Sequence, residues 1–383
     1  MAEIVAAAAV VHAPQLLSRP PHEDLAKLDR SADALRQFGD VLAETEPDAV
    51  ILIGLDHLET FWLEAVPAFT VVLSPEVTAH YMDEEKTVRV DTKLATRIVH
   101  GVIERDFDVT YSQDAPLGHA FLTPLKYVLG TIDVPVVPLL VNTYLPPIPS
   151  PRRAYAFGQA IAATIADQPG RIAVLASGGM SHFPGTARYT KPNYAFDEWV
   201  ISEIEHGSYE DLLALTPVNL DEVGESELMT WFVMLGIIGE QPGTLLTYQE
   251  LSHHGHGVVQ FLPPSPQAEV TRARPPRHGG HEFTFTDYHH YRFPDPSSVE
   301  LNRLLHRIVV DAEYRAAFVR DRAGVLRSSG LGTAERAALA DVDGFTELTA
   351  LGAHPLLALS ARQVSEIEQR RQSTGATESA AVE

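Results

Sequence analysis

The chain predicts an α/β fold: a mixed sheet flanked by helices, with a small C-terminal all-α domain. Three observations predict it. Short apolar runs rich in Val, Ile and Ala at residues 2–12 and 49–56 are too brief for free-standing helices and read as buried strands. Between them, residues 20–46 carry helical spacing in Leu25, Leu28, Ala32, Leu35, Phe38, Val41 and Leu42. A strand–helix–strand unit of this size implies a parallel pair with a right-handed crossover. Beyond about residue 297 only helical periodicity remains.

The elements follow in order. A helix is expected near 91–106, a strand at 135–142, a helix at 150–166 and a strand at 171–177. Helices at 193–206 and 224–239 come next, then strands near 244–249 and 256–263 that read as a hairpin and make the sheet mixed. From about 263 to 296 the texture turns to Pro-Pro-Ser-Pro, Arg-Pro-Pro-Arg-His-Gly-Gly-His and an aromatic run, a connecting segment with one short strand at 282–285. Residues 298–321 and 334–367 read as helical, with Leu301, Leu304, Leu305, Ile308, Val309, Tyr314 and Phe318 on the apolar side of the first. The expected division is a large domain over 1–265, a connector over 266–296, a small helical domain over 297–370 and a disordered tail over 371–383.

Composition bounds the function. Hydrophobic residues make up 45% of the 383, with no run long enough to cross a bilayer. Met1-Ala2-Glu3 lacks the basic start of a secretory signal, so the cytoplasm is the expected compartment. The absence of cysteine excludes disulfides, thiolate zinc sites, cysteine-ligated iron–sulfur clusters and a cysteine nucleophile. Acidic residues outnumber basic ones 51 to 29, a net charge of −22, which opposes contact with nucleic acid or anionic membrane. Histidine is abundant at 17, and His253, His254, His256, His278, His281 and His289 fall close together, with His290 adjoining.

Functional groups in such a sheet belong at the C-terminal ends of strands. His12 ends the first apolar run, His57 ends the second, and Glu227 opens Glu227-Leu228-Met229-Thr230-Trp231. Two neutral imidazoles and a carboxylate suit a redox-active Fe(II) site with positions left for a chelating substrate and O2. Asp56 stands where it can fix the tautomer of His57. Glu227 shares a helix face with Trp231, Met234 and Leu235, and a carboxylate there needs a partner such as a metal; Glu225 reads as the capping acid. His119 and His182, in glycine-containing turns, titrate in the range needed to move a substrate proton. Structural readings stay open: a loop-start histidine, an Asp-His cap, an acid-rich helix start favoured by the macrodipole, and a tight turn with His182 exposed. On residues alone the set reads as an iron-dependent ring-cleaving oxygenase. A zinc or manganese hydrolase, or a non-catalytic pocket protein on the same fold, remains an alternative.

Five segments carry a resemblance: Val11-His12-Ala13-Pro14, Asp56-His57, Pro116-Leu117-Gly118-His119-Ala120-Phe121, Ala176-Ser177-Gly178-Gly179-Met180-Ser181-His182, and Glu227-Leu228-Met229-Thr230-Trp231. The chain resembles the class III extradiol ring-cleavage dioxygenases, the group typified by protocatechuate 4,5-dioxygenase. The resemblance implies Fe(II) held by His12, His57 and Glu227, with His182 as base and His119 as a second acid–base residue. It implies a small aromatic diol and O2 as partners, the ring being protocatechuate-like, gallate-like or dihydroxypyridine-like, and a homodimer is expected. Leu348-Thr349-Ala350-Leu351-Gly352-Ala353-His354-Pro355 extends the likeness to the small helical subunit of that group, here fused as in gallate dioxygenase-like relatives and expected to lie over the site as a lid. The likeness covers about residues 3–265 and 297–368. One departure is Leu251-Ser252-His253-His254-Gly255-His256-Gly257, where relatives place small polar residues for the substrate carboxylate. His253, His254 and His256 are therefore candidates to contact the ring substituent, with solvent-facing turn residues as the alternative. Arg19, Lys86 and Arg89 are candidate cations for an anionic ring.

Overall fold

The structure is a computed structural model and describes residues 2–63, 65–113, 115–261, 289–291, 298–340 and 345–380. The chain opens with strand β1 (Ala2–Val10), a short helix α1 (Gln15–Ser18), helix α2 (Leu25–Glu44) and strand β2 (Ala49–Leu55). Strands β3 (Phe69–Val72), β4 (Glu76–Tyr81) and β5 (Glu84–Arg89), helix α3 (Thr92–Ile103) and strand β6 (Thr110–Ser112) follow. Helix α4 (His119–Pro124) runs into one π-helical turn, Leu125–Leu129, because Pro124 inside it has no N–H for the regular ladder. Then come β7 (Val136–Val141), α5 (Pro151–Ile165), β8 (Gly170–Ser177), α6 (Tyr194–His206), α7 (Glu210–Leu213), α8 (Pro217–Val223), α9 (Leu228–Ile238), β9 (Thr244–Glu250) and β10 (Gly255–Phe261). The C-terminal helices are α10 (Val299–Val310), α11 (Ala312–Arg320), α12 (Arg322–Ser328), α13 (Thr333–Ala340), α14 (Phe345–Ala350) and α15 (Pro355–Ala380).

The main sheet has the order β6-β3-β7-β2-β8-β1-β10-β9. It is mixed as expected: β7, β2, β8 and β1 run parallel, while β10 and β9 form the anticipated antiparallel hairpin at one edge. β2 is buried at every residue, which explains why Ala-Val-Ile-Leu-Ile-Gly-Leu shows no alternation. Helix α9 is apolar on all sides for the same reason: it packs on β8, β1 and β2 and against α5. That last contact is backbone-close, since a Cβ on Gly158 would lie 2.0 Å from the Val233 carbonyl oxygen. Helix α2 starts where Asp24 accepts from the Lys27 amide.

Some expectations shift. β1 and β2 are parallel but not adjacent, because β8 lies between them and pairs with both. β3 to β6 had no counterpart in the sequence reading. They are three to six residues long, and the β4–β5 ribbon and β6 are only partly buried, so no apolar period marks them. Residues 371–380, expected as tail, continue α15 instead. No proline interrupts them, Gly375 is the single helix breaker, Arg371 pairs with Asp83, and Gln372 Nε2 donates to the Ala316 carbonyl at 3.1 Å. The expected strand at 282–285 lies outside the described residues, as do residues 381–383.

Leu301, Leu304, Leu305, Ile308 and Phe318 form the buried side of the C-terminal helices, as their spacing implied. Asn302 ties this region together, donating to the Ser298 and Gly352 carbonyls and accepting from the His354 amide. His354 Nε2 then reaches the Tyr144 carbonyl at 2.9 Å, joining the helices to the loop after β7. Among the described residues, no helix is long and apolar enough to cross a membrane.

Candidate metal centre and active site

Neighbouring parallel strands end side by side, so whatever follows β2, β8 and β1 is delivered to one place. His12 lies two residues past β1, His57 two past β2, and Gly178 to His182 follow β8 directly. Glu227 stands at the start of α9, which lies under those strand ends. His12 Nε2 is 3.4 Å from Glu227 Oε2, and His57 Nε2 is 3.2 Å from Oε1. All three are buried, with Glu227 at 0% exposure.

Hydrogen bonding sets the state of His12. Ser177 Oγ donates to the Ala120 carbonyl, so it can only accept from His12 Nδ1–H, 3.1 Å away. That leaves the His12 Nε2 lone pair facing Glu227, the arrangement a ligating imidazole needs. Burial holds His12 below its usual range, and burial with His119 beside it depresses His57 to about 4. His57 Nδ1 is buried without a hydrogen-bond partner. Burial alone would raise Glu227, but His12 and His182 hold it well below the carboxylate range. A carboxylate with the ring nitrogens of two histidines within 3.4 Å is a donor set that fits a divalent metal such as Fe(II).

Asp56 does not orient His57. Its oxygens accept from the amides of Glu59, Thr60 and Phe61, each at 2.9 Å, because adjacent residues leaving a strand point to different sides. Burial nonetheless raises it to about 6. The acidic run 221–227 is not a capping cluster either. Asp221 accepts from the amides of His289, His290 and Tyr291. Glu225 is fully buried beside Asp197, and burial with that second carboxylate lifts its carboxyl well above the usual range.

Of the two expected proton movers, one lies against Glu227 and the other against His57. His182 Nε2 lies 3.2 Å from Glu227 Oε1, while its Nδ1 donates to the Met180 carbonyl at 2.7 Å. Burial would lower His182, but Glu227 outweighs it and the net shift is upward. His119, the first residue of α4, stacks on His57 with centroids 4.1 Å apart and is held through Nδ1 by Glu59 Oε1 at 3.2 Å. Burial would raise Glu59, yet His119 holds it at about 2, so it is a fixed anion. Gly118 is required here, since a Cβ would fall 1.5 Å from Glu59 Oε2.

His253, His254 and His256 are all buried, which removes the solvent-facing alternative. His254 stacks on His182 at 4.1 Å and lines the cavity above Glu227. His253 also lines it, accepting from Gln15 Nε2 at 2.5 Å and facing Glu23 through Nδ1 at 3.3 Å. His256 sits within β10 with Nδ1 3.2 Å from Ser31 Oγ on α2, and it is not among the lining residues. The cavity has the histidines at one end and residues of α10 and α15 at the other. None of the proposed cations reaches it: Arg19 pairs with Asp29, Arg89 with Asp133, and Lys86 donates to the Leu125 carbonyl.

Sequence reasoning missed Tyr144. Its hydroxyl donates to Glu227 Oε1 at 2.6 Å and lies 3.0 Å from His182 Nε2. It also missed Ser177 as the group that orients His12, although Ser177 stands inside a quoted motif. Glu59 had a signal in its closeness to Asp56-His57; Tyr144, in an irregular proline-rich loop, had none.

The chain is 32% identical over 199 residues to a 2,3-dihydroxyphenylpropionate/2,3-dihydroxicinnamic acid 1,2-dioxygenase of Mycolicibacterium gilvum, covering 51% of this chain and 62% of that protein. It is 30% identical over 161 residues to the protein of the same name from Klebsiella pneumoniae strain 342, covering 42% of this chain and 50% of the other. The matched stretch thus spans half to three-fifths of the length of these curated relatives. A solved structure of an uncharacterized protein from Escherichia coli K12 is 18% identical, with a TM-score of 0.48, covering 67% of this chain and 99% of that one. Residues 6–261, more than half of the chain, match the family described as the catalytic LigB subunit of aromatic ring-opening dioxygenase, and the chain belongs to that family.

Proposed function

We propose that the protein is a non-haem Fe(II)-dependent extradiol dioxygenase that opens the ring of a catechol-type aromatic using O2. The observation that carries this reading is the convergence of His12 Nε2 and His57 Nε2 on the buried Glu227 carboxylate, with both imidazoles lining a cavity that His119 and His182 also line. His12, His57 and Glu227 would hold the iron. Bound there, Fe(II) supplies Lewis acidity toward the diol oxygens and one-electron chemistry toward O2. A set without thiolate and with a single carboxylate supports iron, and the relatives' names support the reaction.

The chain's own residues then have separate tasks. His182, with its ring fixed by the Met180 carbonyl, would take the diol proton at Nε2 once iron has drawn on the Glu227 charge that favours the protonated ring. The Tyr144 hydroxyl contacts both Glu227 Oε1 and His182 Nε2, so it keeps both in register. His119, fixed by Glu59, serves as the second acid–base group on the far side of His57. His253 and His254 contact the ring or its substituent from the β9–β10 turn, whereas His256 is left to packing. Helices α10 and α15 close the outer wall and keep bulk water away. The cytoplasmic location and the homodimer belong to the same reading.

Oxygen uptake by anaerobically Fe(II)-loaded protein against a panel of catechols, gallates and dihydroxypyridines tests it, with zinc-loaded protein as control. The expected result is uptake with Fe(II) alone, matched mole for mole by a ring-opened chromophore. Folded, iron-loaded protein that consumes no oxygen with any ring would overturn the proposal.

A further inference from the structure

The cavity has two chemically different ends. Its floor is made by the histidines and Glu59, on loops that follow the sheet strands. Its far wall is a helical stripe: Leu356, Leu359, Val364 and Ile367 recur at i, i+3, i+8 and i+11 along α15, with Val309 of α10 and Met82 of the β4–β5 turn beside them. The two polar members of that stripe, Ser360 and Gln363, are uncharged. Among the described residues, no lysine or arginine lines the cavity. α10 and α15 lie beyond residues 6–261, so the family match that places the histidines does not extend to the residues that meet the rest of the substrate.

From this we infer that the ring substituent is uncharged and apolar, an alkyl or aryl group laid against the α10–α15 wall, rather than the carboxylate-bearing tail named for the curated relatives. A carboxylate carried to that wall would lose its water to apolar side chains and gain no counter-charge from them. An alkyl group there gains the transfer free energy of each methylene. The inference rests on the dioxygenase reading for the placement of the diol at the histidine end.

The test is anaerobic calorimetric binding to the Fe(II)-loaded protein, comparing 3-propylcatechol with 2,3-dihydroxyphenylpropionate and 4-propylcatechol with 3,4-dihydroxyphenylpropionate. Each pair keeps the chain length and differs by the carboxylate. The propyl compound of the better pair is expected to bind about tenfold tighter or more. In Leu359→Lys, and separately in Ile367→Lys, that preference should shrink or reverse, since both side chains are half-buried at the wall and a lysine can reach the cavity from either. Equal or tighter binding of both propionates by the unaltered protein overturns the inference. Oxygen uptake is read in parallel with the same compounds. Its absence with every ring overturns the dioxygenase reading, while the binding preference still decides the substituent.

Discussion

The Tyr144 hydroxyl and the Glu227 carboxylate are joined by a 2.6 Å hydrogen bond in the fully buried centre of the site. A phenol has one proton, so donation to Glu227 leaves only the oxygen lone pairs to face His182 Nε2, 3.0 Å away. Tyr144→Phe should therefore fold, yet lose about 10- to 100-fold in oxygen uptake per bound iron, because both the proposed ligand and the proposed base lose a positioning contact. Unchanged turnover and unchanged iron affinity would show that the bond is only packing.

Ser177→Ala removes the acceptor that fixes His12 Nδ1–H and leaves the Ala120 carbonyl without its donor. Iron affinity should fall by about tenfold or more, measured by chelator competition. Stability should drop by about 1–3 kcal/mol in denaturant unfolding of the metal-free protein. Ser177→Thr, which keeps the hydroxyl, should retain more iron affinity than the alanine variant.

His12→Ala and Glu227→Gln should each abolish stoichiometric iron while leaving the far-ultraviolet circular dichroism unchanged, as both residues lie beyond the ends of the elements that carry the sheet. His256→Ala, whose ring packs against Ser31, should keep its iron. Metal analysis after desalting separates the two outcomes, and full iron retention in Glu227→Gln would remove Glu227 from the ligand set.

Gly179 leaves no room for a side chain, since a Cβ there would come within 2.0 Å of His254 Nε2 and 3.2 Å of Glu227 Oε2. Gly179→Ala should lower turnover by about tenfold or more by pushing the stacked His254–His182 pair out of place. Part of the loss should return in the Gly179→Ala, His254→Ala double variant, a coupling that two independent sites would not give.

His354 bridges the C-terminal helices to the loop after β7, and burial depresses it to about 4 despite its bond to the Tyr144 carbonyl. The unfolded chain, with an ordinary imidazole near 6.5, binds the proton more readily. Its contribution is thus fully present above 6.5 and is lost as pH falls from 6.5 through 4, on the order of 3 kcal/mol. His354→Gln should flatten this part of the pH dependence of the metal-free protein's melting temperature. An identical slope in both proteins between pH 7 and 5 would show that His354 is not the group responsible.

What the sequence disclosed and what it withheld follow from geometry. β1, β2 and β8 were legible because a strand covered on both faces must be a continuous apolar run, and a histidine at the end of such a run stands out. The position of β8 between the other two was not, because pairing order between distant segments leaves no local pattern. Asp56 misled because sequence neighbours on an extended chain do not share a side. His254 and His256 looked equivalent, yet one lies at the turn above the cavity and the other a residue inside the strand, against α2. The charged candidates failed because side chains such as Arg19 and Arg89 found carboxylates at the surface.

The place of β8 also has a bearing on how the protein comes into being. β1 and β2 are made early, but the strand that joins them starts at Gly170, and the carboxylate between their histidines arrives only with residue 227. A nascent chain halted before Gly170 holds His12 and His57 with nothing to bring them together. Loading of the proposed metal site is consequently a late event in biosynthesis, after the slow, long-range closure of the sheet, and truncated translation products should carry no metal.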